Sequence, residues 1–212
     1  LNKTLIDNLL THHKDIRLVM ASKYLEASQI YQYVDAGISD FGESRVDAFL
    51  QKEETLRDTP ITWHFIGTLQ SKKVKHIINK IDVLHSLDRL SLAKAIQKHR
   101  EDPLPCLIQV NISKEENKHG VKPASVLTFI KALEAYPIIK VIGLMGIALH
   151  SDDEAVIHRQ FETLKRLRDR ANKTTKDCKE LSMGMSEDYS IAIKEGATML
   201  RLGRILISEG SL

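Results

Sequence analysis

Residues 17–23 read RLVMASK: an arginine, a short apolar run, then serine and lysine, with no glycine. A run this short and this apolar is the mark of a strand buried on both faces. An open doubly wound sheet would normally place a glycine-rich turn after its first strand. RLVMASK has none, which points to another way of packing parallel strands. Seven further runs resemble it: residues 40–42 (DFG), 62–67 (TWHFIG), 82–86 (DVLHS), 106–111 (CLIQVN), 141–148 (VIGLMGIA), 181–185 (LSMGM) and 199–207 (MLRLGRILI).

Between these runs lie stretches with helical spacing: residues 26–36, 43–57, 69–80, 88–100, 121–135, 153–173 and 187–195. In residues 153–173, Ile157, Phe161, Leu164, Leu167 and Ala171 recur every three or four positions and share one face. Asp88, Ser125 and Ser186 stand where caps or first-turn residues are expected, and Asp152-Asp153 reads as a capped helix start rather than a catalytic pair. A further helix over residues 2–14 precedes the first strand. Strands alternating with helices imply a parallel sheet covered by helices. Eight such units in about 200 residues predict an α/β fold of the (β/α)8 TIM-barrel type, at the small end of its usual size. The whole chain, residues 1–212, reads as one domain.

Composition narrows the function classes. Basic residues number 31 against 28 acidic, a net charge of +3. That balance points to neither nucleic acid nor an anionic membrane as partner. The densest basic run, Lys72-Lys73-Val74-Lys75-His76, reads as a solvated helix start, with a phosphate-contacting patch as the alternative. No apolar run approaches the roughly 20 residues of a membrane span, and no signal peptide is visible. Cys106 and Cys178 form no metal-type spacing, and Cys106 lies in an apolar run as a buried thiol would. These features predict a reducing, cytoplasmic setting.

Active residues of a barrel cluster at the C-terminal ends of its strands. Lys23 stands at the first of these ends. Burial there would favour its neutral amine, which can attack an aldehyde. Phosphate sites form after strands seven and eight. Those segments are LSMGMS and RLGR, each pairing glycine with a hydroxyl or a cation, and Ser186 stands at the handover from strand to helix. His64 and His85 come from different strand ends without a carboxylate set, so no metal site is expected. No nucleophile–base triad is evident.

At these residues the sequence resembles the pyridoxal 5'-phosphate homeostasis proteins, small relatives of the alanine racemase N-terminal barrel. The likeness runs from about residue 16 to 207. It covers VMASK with Lys23, FGESR (41–45), WHFIGTLQSKK (63–73), HSLDR (85–89), QVNISKEENKHGV (109–121), GLMGIA (143–148), LSMGMSEDY (181–189) and RLGR (201–204). The resemblance implies a racemase-type barrel, pyridoxal phosphate (PLP) as cofactor, and roles for individual residues. Lys23 matches the lysine that forms the Schiff base. Ser186 matches the serine on the phosphate, and Gly203 and Arg204 match positions whose backbone amides bind the same group. Arg201 matches the arginine facing the pyridine nitrogen. Ser44, His64 and Met145 match positions lining the pocket. The family commonly has Asn where Ser44 stands, Thr where Arg204 stands, Ser-Asn-Lys where Ser71-Lys72-Lys73 stands, and Phe-Gly where Ile207-Ser208 stands.

An arginine is always a donor, so Arg201 would keep a pyridine nitrogen unprotonated and the ring a poor electron sink. Racemases add a second base from a further β domain, which this sequence does not show. The resemblance therefore implies a non-catalytic holder of PLP in vitamin B6 homeostasis. PLP-dependent apoenzymes are the expected recipients and a monomer the expected state. The alternatives are an amino-acid racemase or related weak enzyme on the same cofactor, or a Schiff-base aldolase.

Overall fold

A computed structural model describes residues 1–113, 115 and 119–207 of the chain. Part of the QVNISKEENKHGV stretch and Ser208 lie outside the described residues. Eight parallel strands close into a barrel in sequence order: β1 (Arg17–Ala21), β2 (Asp40–Glu43), β3 (Thr62–Phe65), β4 (Val83–Leu87), β5 (Leu104–Val110), β6 (Ile139–Gly146), β7 (Glu180–Ser182) and β8 (Met199–Leu202). β8 pairs with β1, setting Val19 beside Arg201. The (β/α)8 barrel expected from the apolar runs is the one observed.

The outer ring holds α1 (Lys3–His12), α2 (Ala27–Asp35), α3 (Val46–Thr55), α4 (Val74–Ile77), α5 (Leu90–His99), α6 (Val126–Leu133), α7 (Glu154–Asn172), α8 (Tyr189–Lys194) and α9 (Arg204–Ile207). In α7 the buried residues are Ile157, Phe161, Leu164, Leu167 and Ala171, the face predicted from spacing. Asp153 caps this helix by accepting from the Ala155 amide at 2.9 Å. Asn2 caps α1, and its backbone and side-chain N–H groups donate to Leu206 and Ile205 of α9.

Several boundaries differ from the sequence reading. Residues 199–207 are not one strand. β8 stops at Leu202, and residues 204–207 turn into α9, whose Ile205 and Leu206 are apolar because they bury helix surface. The expected helix over residues 69–80 shrinks to a 3₁₀ turn, Ser71–Lys73, and the short α4. Its lysines are solvated, as composition suggested. Ser186 does not cap α8, which starts after Asp188.

Strand alternation sorts the side chains. Residues such as Phe41, Trp63 and Phe65 face outward and join the main core beneath the helices. A small second apolar group, Val83, Leu107, Met145 and Met199, fills part of the barrel interior. Polar groups occupy the rest, with His64, His85, Ser182 and Arg201 all buried. Cys106 and Cys178 are buried free thiols.

Candidate functional site

A cavity of about 610 Å³ opens at the C-terminal mouth of the barrel. That volume falls within the range of small-molecule and cofactor sites. Its wall brings together Lys23, Ser44, Ser186, Arg201, Gly203 and Arg204, contributed by the ends of β1, β2, β7 and β8. Sequence distances of up to about 180 residues collapse here because parallel strands all end on one face.

Lys23 sits in a 3₁₀ turn, Ser22–Tyr24, directly after β1. The turn is bound tightly from below. Ser22 donates its hydroxyl to Glu43 at 3.1 Å, and Lys52 donates to the Ser22 carbonyl at 2.7 Å. Glu43 also accepts from Lys52 and from the Ser44 amide. Lys23 itself is exposed rather than buried, which corrects the expectation that desolvation acts on it. Strand burial ends at Ser22, and the turn lifts the next side chain to the mouth. Its Nζ lies 4.8 Å from the ring centroid of Tyr24, a cation–π contact.

Arg201 is 95% buried, at 5% exposure, yet it reaches the cavity wall. It donates to Ser182 Oγ at 2.6 Å and to the Gly146 carbonyl at 2.9 Å. No ion pair to it is found among the described residues. Burial pulls its pKa down to about 10, with Asp188 nearby opposing the shift. Asp188 is itself pushed up by burial, offset in part by the hydrogen bond from the Met185 amide and the field of Arg201. A buried cation without a carboxylate partner is costly unless an anion or acceptor completes its surroundings.

Gly203 lies close under the β1 end. A Cβ there would meet the Ala21 carbonyl oxygen at 3.3 Å and the Ala21 Cβ at 3.4 Å. Ser186 is half-buried on the opposite side, freed from capping because Asp188 holds the Met185 amide at 2.6 Å. Arg204 is exposed, and its guanidinium pairs with Glu187 at 3.3 Å.

Two residues expected at the pocket are elsewhere, which corrects that expectation. His64 and Met145 are fully buried inside the barrel and do not line the cavity. Both point inward by strand alternation, but at a lower level of the barrel. Met145 packs with Val83, Leu107 and Met199. His64 bonds Asp40 and His85, each at 2.8 Å. Among the described residues no group of His, Cys, Asp or Glu could hold a metal. Sequence reasoning missed Tyr24, Asp188 and the interior role of Asp40. The signal for Asp40 was a charged residue at an inward-facing strand position.

This barrel and mouth define a class, and comparison with known proteins agrees. Residues 4–209 match the family described as alanine racemase, N-terminal domain. The protein called pyridoxal phosphate homeostasis protein in Aquifex aeolicus is 39% identical over 197 residues, covering 91% of this chain and 86% of that one. The structure of PipY from Synechococcus elongatus with PLP bound superposes with a TM-score of 0.85 at 28% identity, covering 96% of this chain and all of that one. Alanine racemase from Corynebacterium glutamicum shares the fold alone, with a TM-score of 0.76 at 18% identity, and this chain spans 58% of it. The chain belongs to the alanine racemase N-terminal domain family, and within it to the pyridoxal phosphate homeostasis proteins.

Proposed function

We propose that this chain holds pyridoxal 5'-phosphate as a Schiff base on Lys23 and serves PLP homeostasis, taking up and releasing the cofactor without catalytic turnover. The observation that carries this reading is the cavity itself. One solvent-reachable primary amine shares a wall with a buried arginine that makes no ion pair among the described residues, and with the hydroxyl of Ser186. Those groups fit an aldehyde that also bears a phosphate and an aromatic nitrogen. Gly203 supports the fit, because a side chain there would crowd Ala21 and narrow the cradle.

Bound PLP supplies an electrophilic carbon and an aromatic ring able to delocalise charge. The residues of this chain then divide the work. Lys23 would bind the carbonyl carbon as an imine, with the carbonyl oxygen leaving as water. Ser186 donates to the phosphate, with the backbone amides of Gly203 and Arg204 on the same group. Arg201 would donate to the ring nitrogen and keep it unprotonated. An unprotonated ring favours holding over carbanion chemistry, which supports a carrier above a racemase. Ser44 stands at the same cavity wall. His64 and Met145 act one level down, beneath the site rather than against it. The exposure of Lys23 suits exchange with amines on recipient proteins, with PLP-dependent apoenzymes as the recipients.

The test is spectroscopic. Mixing the purified chain with PLP produces a protein-bound absorption band distinct from that of free PLP. Lys23→Ala loses that band while keeping the fold. An unchanged band in Lys23→Ala overturns the assignment. Steady racemisation of an amino acid by the purified protein overturns the non-catalytic reading.

A further inference from the structure

A line of hydrogen bonds runs through the barrel from Arg201 to the opposite end. Arg201 donates to Ser182 Oγ at 2.6 Å. Ser182 Oγ lies 2.9 Å from His85 Nδ1. His85 Nε2 lies 2.8 Å from His64 Nδ1, and His64 Nε2 lies 2.8 Å from Asp40 Oδ1. Four strands besides β8 contribute no more than one member each: β7, β4, β3 and β2. Ser182, His85 and His64 are each at 0% exposure. Asp40 borders a second hollow at the N-terminal end, shared with Lys14, Arg17 and Glu180.

The two ends fix the direction of the chain. A guanidinium only donates, and a carboxylate only accepts. Ser182 accepts from Arg201, and with each ring carrying one proton and His64 donating to the Asp40 carboxylate, the serine's own hydrogen goes to His85 Nδ1. That nitrogen must be bare, so a neutral His85 carries its proton on Nε2 and donates to His64 Nδ1. His64 in turn carries its proton on Nε2 and donates to Asp40. Every donor then points the same way, and both tautomers follow from the accepting carboxylate and one proton per ring.

Electrostatics agree with a neutral His85 and a charged terminus. Burial pushes His85 well below the usual histidine range, and the fields of Arg201 and Arg17 push the same way. For Asp40, burial acts upward, but hydrogen bonds from His64 and Ser39 and the field of Arg17 act downward, and the net shift is down. The carboxylate is held below its ordinary range, as an accepting terminus requires.

We propose that Asp40, His64, His85 and Ser182 are positioning residues for Arg201, forming a one-way hydrogen-bond chain that locks both histidines as Nε2–H tautomers and holds the guanidinium at the cavity floor. What Arg201 faces in the cavity rests on the PLP reading above; the chain itself does not. Ser182 is the critical link, since it both receives the guanidinium and hands its polarity to His85. Arg201 is thereby held without an ion pair among the described residues, with Asp188 acting on it only through its field, while its geometry is fixed.

The test uses the full chain without PLP, labelled with ¹⁵N in its histidines and arginines, with His64 and His85 assigned by single substitution. Both rings should show a bare Nδ1 and a protonated Nε2 near neutral pH. Either ring as an imidazolium or as the Nδ1–H tautomer overturns the proposal. Asp40→Ala removes the accepting terminus and should cost His85, which does not touch Asp40, its single tautomer. An unchanged His85 signal in that variant also overturns it, because a purely local structural role predicts no such effect. Should Asp40→Ala fail to fold, the wild-type spectrum still decides. In Ser182→Ala the Arg201 guanidinium protons should exchange with water at least about tenfold faster, the loss of one hydrogen bond to a charged group. Unchanged exchange contradicts the positioning role. Since no cofactor is present, failure here leaves the Lys23 assignment standing, and failure of Lys23 leaves the chain standing.

Discussion

Lys52 of α3 and Glu43 at the end of β2 form an ion pair sealed from water, with Glu43 at 0% and Lys52 at 7% exposure. The pair does more than neutralise itself. Lys52 also holds the Ser22 carbonyl, and Glu43 receives the Ser22 hydroxyl and the Ser44 amide. It thus clamps the turn that presents Lys23 to the end of β2 that presents Ser44. Breaking a buried pair from one side strands the other charge, at a cost of about 3–5 kcal/mol. Lys52→Met should lower the unfolding free energy by that order in urea titrations. Replacing both together, Lys52→Met with Glu43→Leu, should recover part of the loss.

A different constraint comes from Gly67. A Cβ on this residue would lie 2.2 Å from the Ser44 carbonyl oxygen, and the obstacle is backbone that cannot swing aside. Gly67→Ala should therefore displace the Ser44 loop, costing several times the roughly 1 kcal/mol typical of a point change. Gly37→Ala offers a contrast. Its φ of +93° strains an alanine, but its nearest neighbour is a flexible leucine methyl at 3.4 Å. It should cost about 1–2 kcal/mol through backbone strain alone. Paired denaturation curves compare the two. Equal losses would show that the Ser44 contact is not rigid.

Acid should destabilise the fold from near neutrality. His85 is held neutral in the folded chain, below its ordinary value of 6.5, mainly by burial. Its contribution is fully present above that value. It declines as pH falls and the unfolded chain takes up a proton that the native barrel refuses. Asp40, held below its ordinary 3.8, adds a further loss at more acid pH as its carboxylate is protonated. The slope from His85 alone approaches about 1.4 kcal/mol per pH unit below about pH 6. Urea unfolding between pH 5 and 8 measures it, and His85→Asn should lower the slope by that amount.

The phosphate assignment separates from the Schiff base by substitution. Ser186→Ala should weaken PLP binding by about tenfold to a hundredfold, the range for one hydrogen bond to a charged group. The bound absorption band should stay intact. Titration of the band against PLP concentration reads both quantities. An unaltered affinity would move the phosphate away from Ser186.

Much of this was legible in the sequence, and the exceptions have physical causes. The strands were readable because both of their faces are buried, so RLVMASK and its counterparts carry no polar alternation. The apolar face of α7 was readable from spacing. The end of β8 was not, since Ile205 and Leu206 are equally apolar in a strand or in a short helix packed on α1. Lys23 was locatable from its strand end, but its exposure was not, because a 3₁₀ turn follows Ala21 with no glycine or proline to announce it. His64 and Met145 show what depth hides. Period-two alternation tells that they point inward, while their level along the barrel axis depends on stagger between strands, which no single strand records. The interior chain from Asp40 to Arg201 was invisible for the same reason, although each member stood out as a polar residue in an apolar run.

The central claim is that Lys23 is the residue that holds PLP. Borohydride reduction of the purified chain loaded with PLP fixes the Schiff base irreversibly, and peptide mapping by mass spectrometry finds the modified lysine. The account predicts a pyridoxyl label on Lys23 in the peptide containing VMASK. A label on Lys52, on Lys72 or Lys73, or spread over surface lysines with Lys23 unmodified, would contradict it.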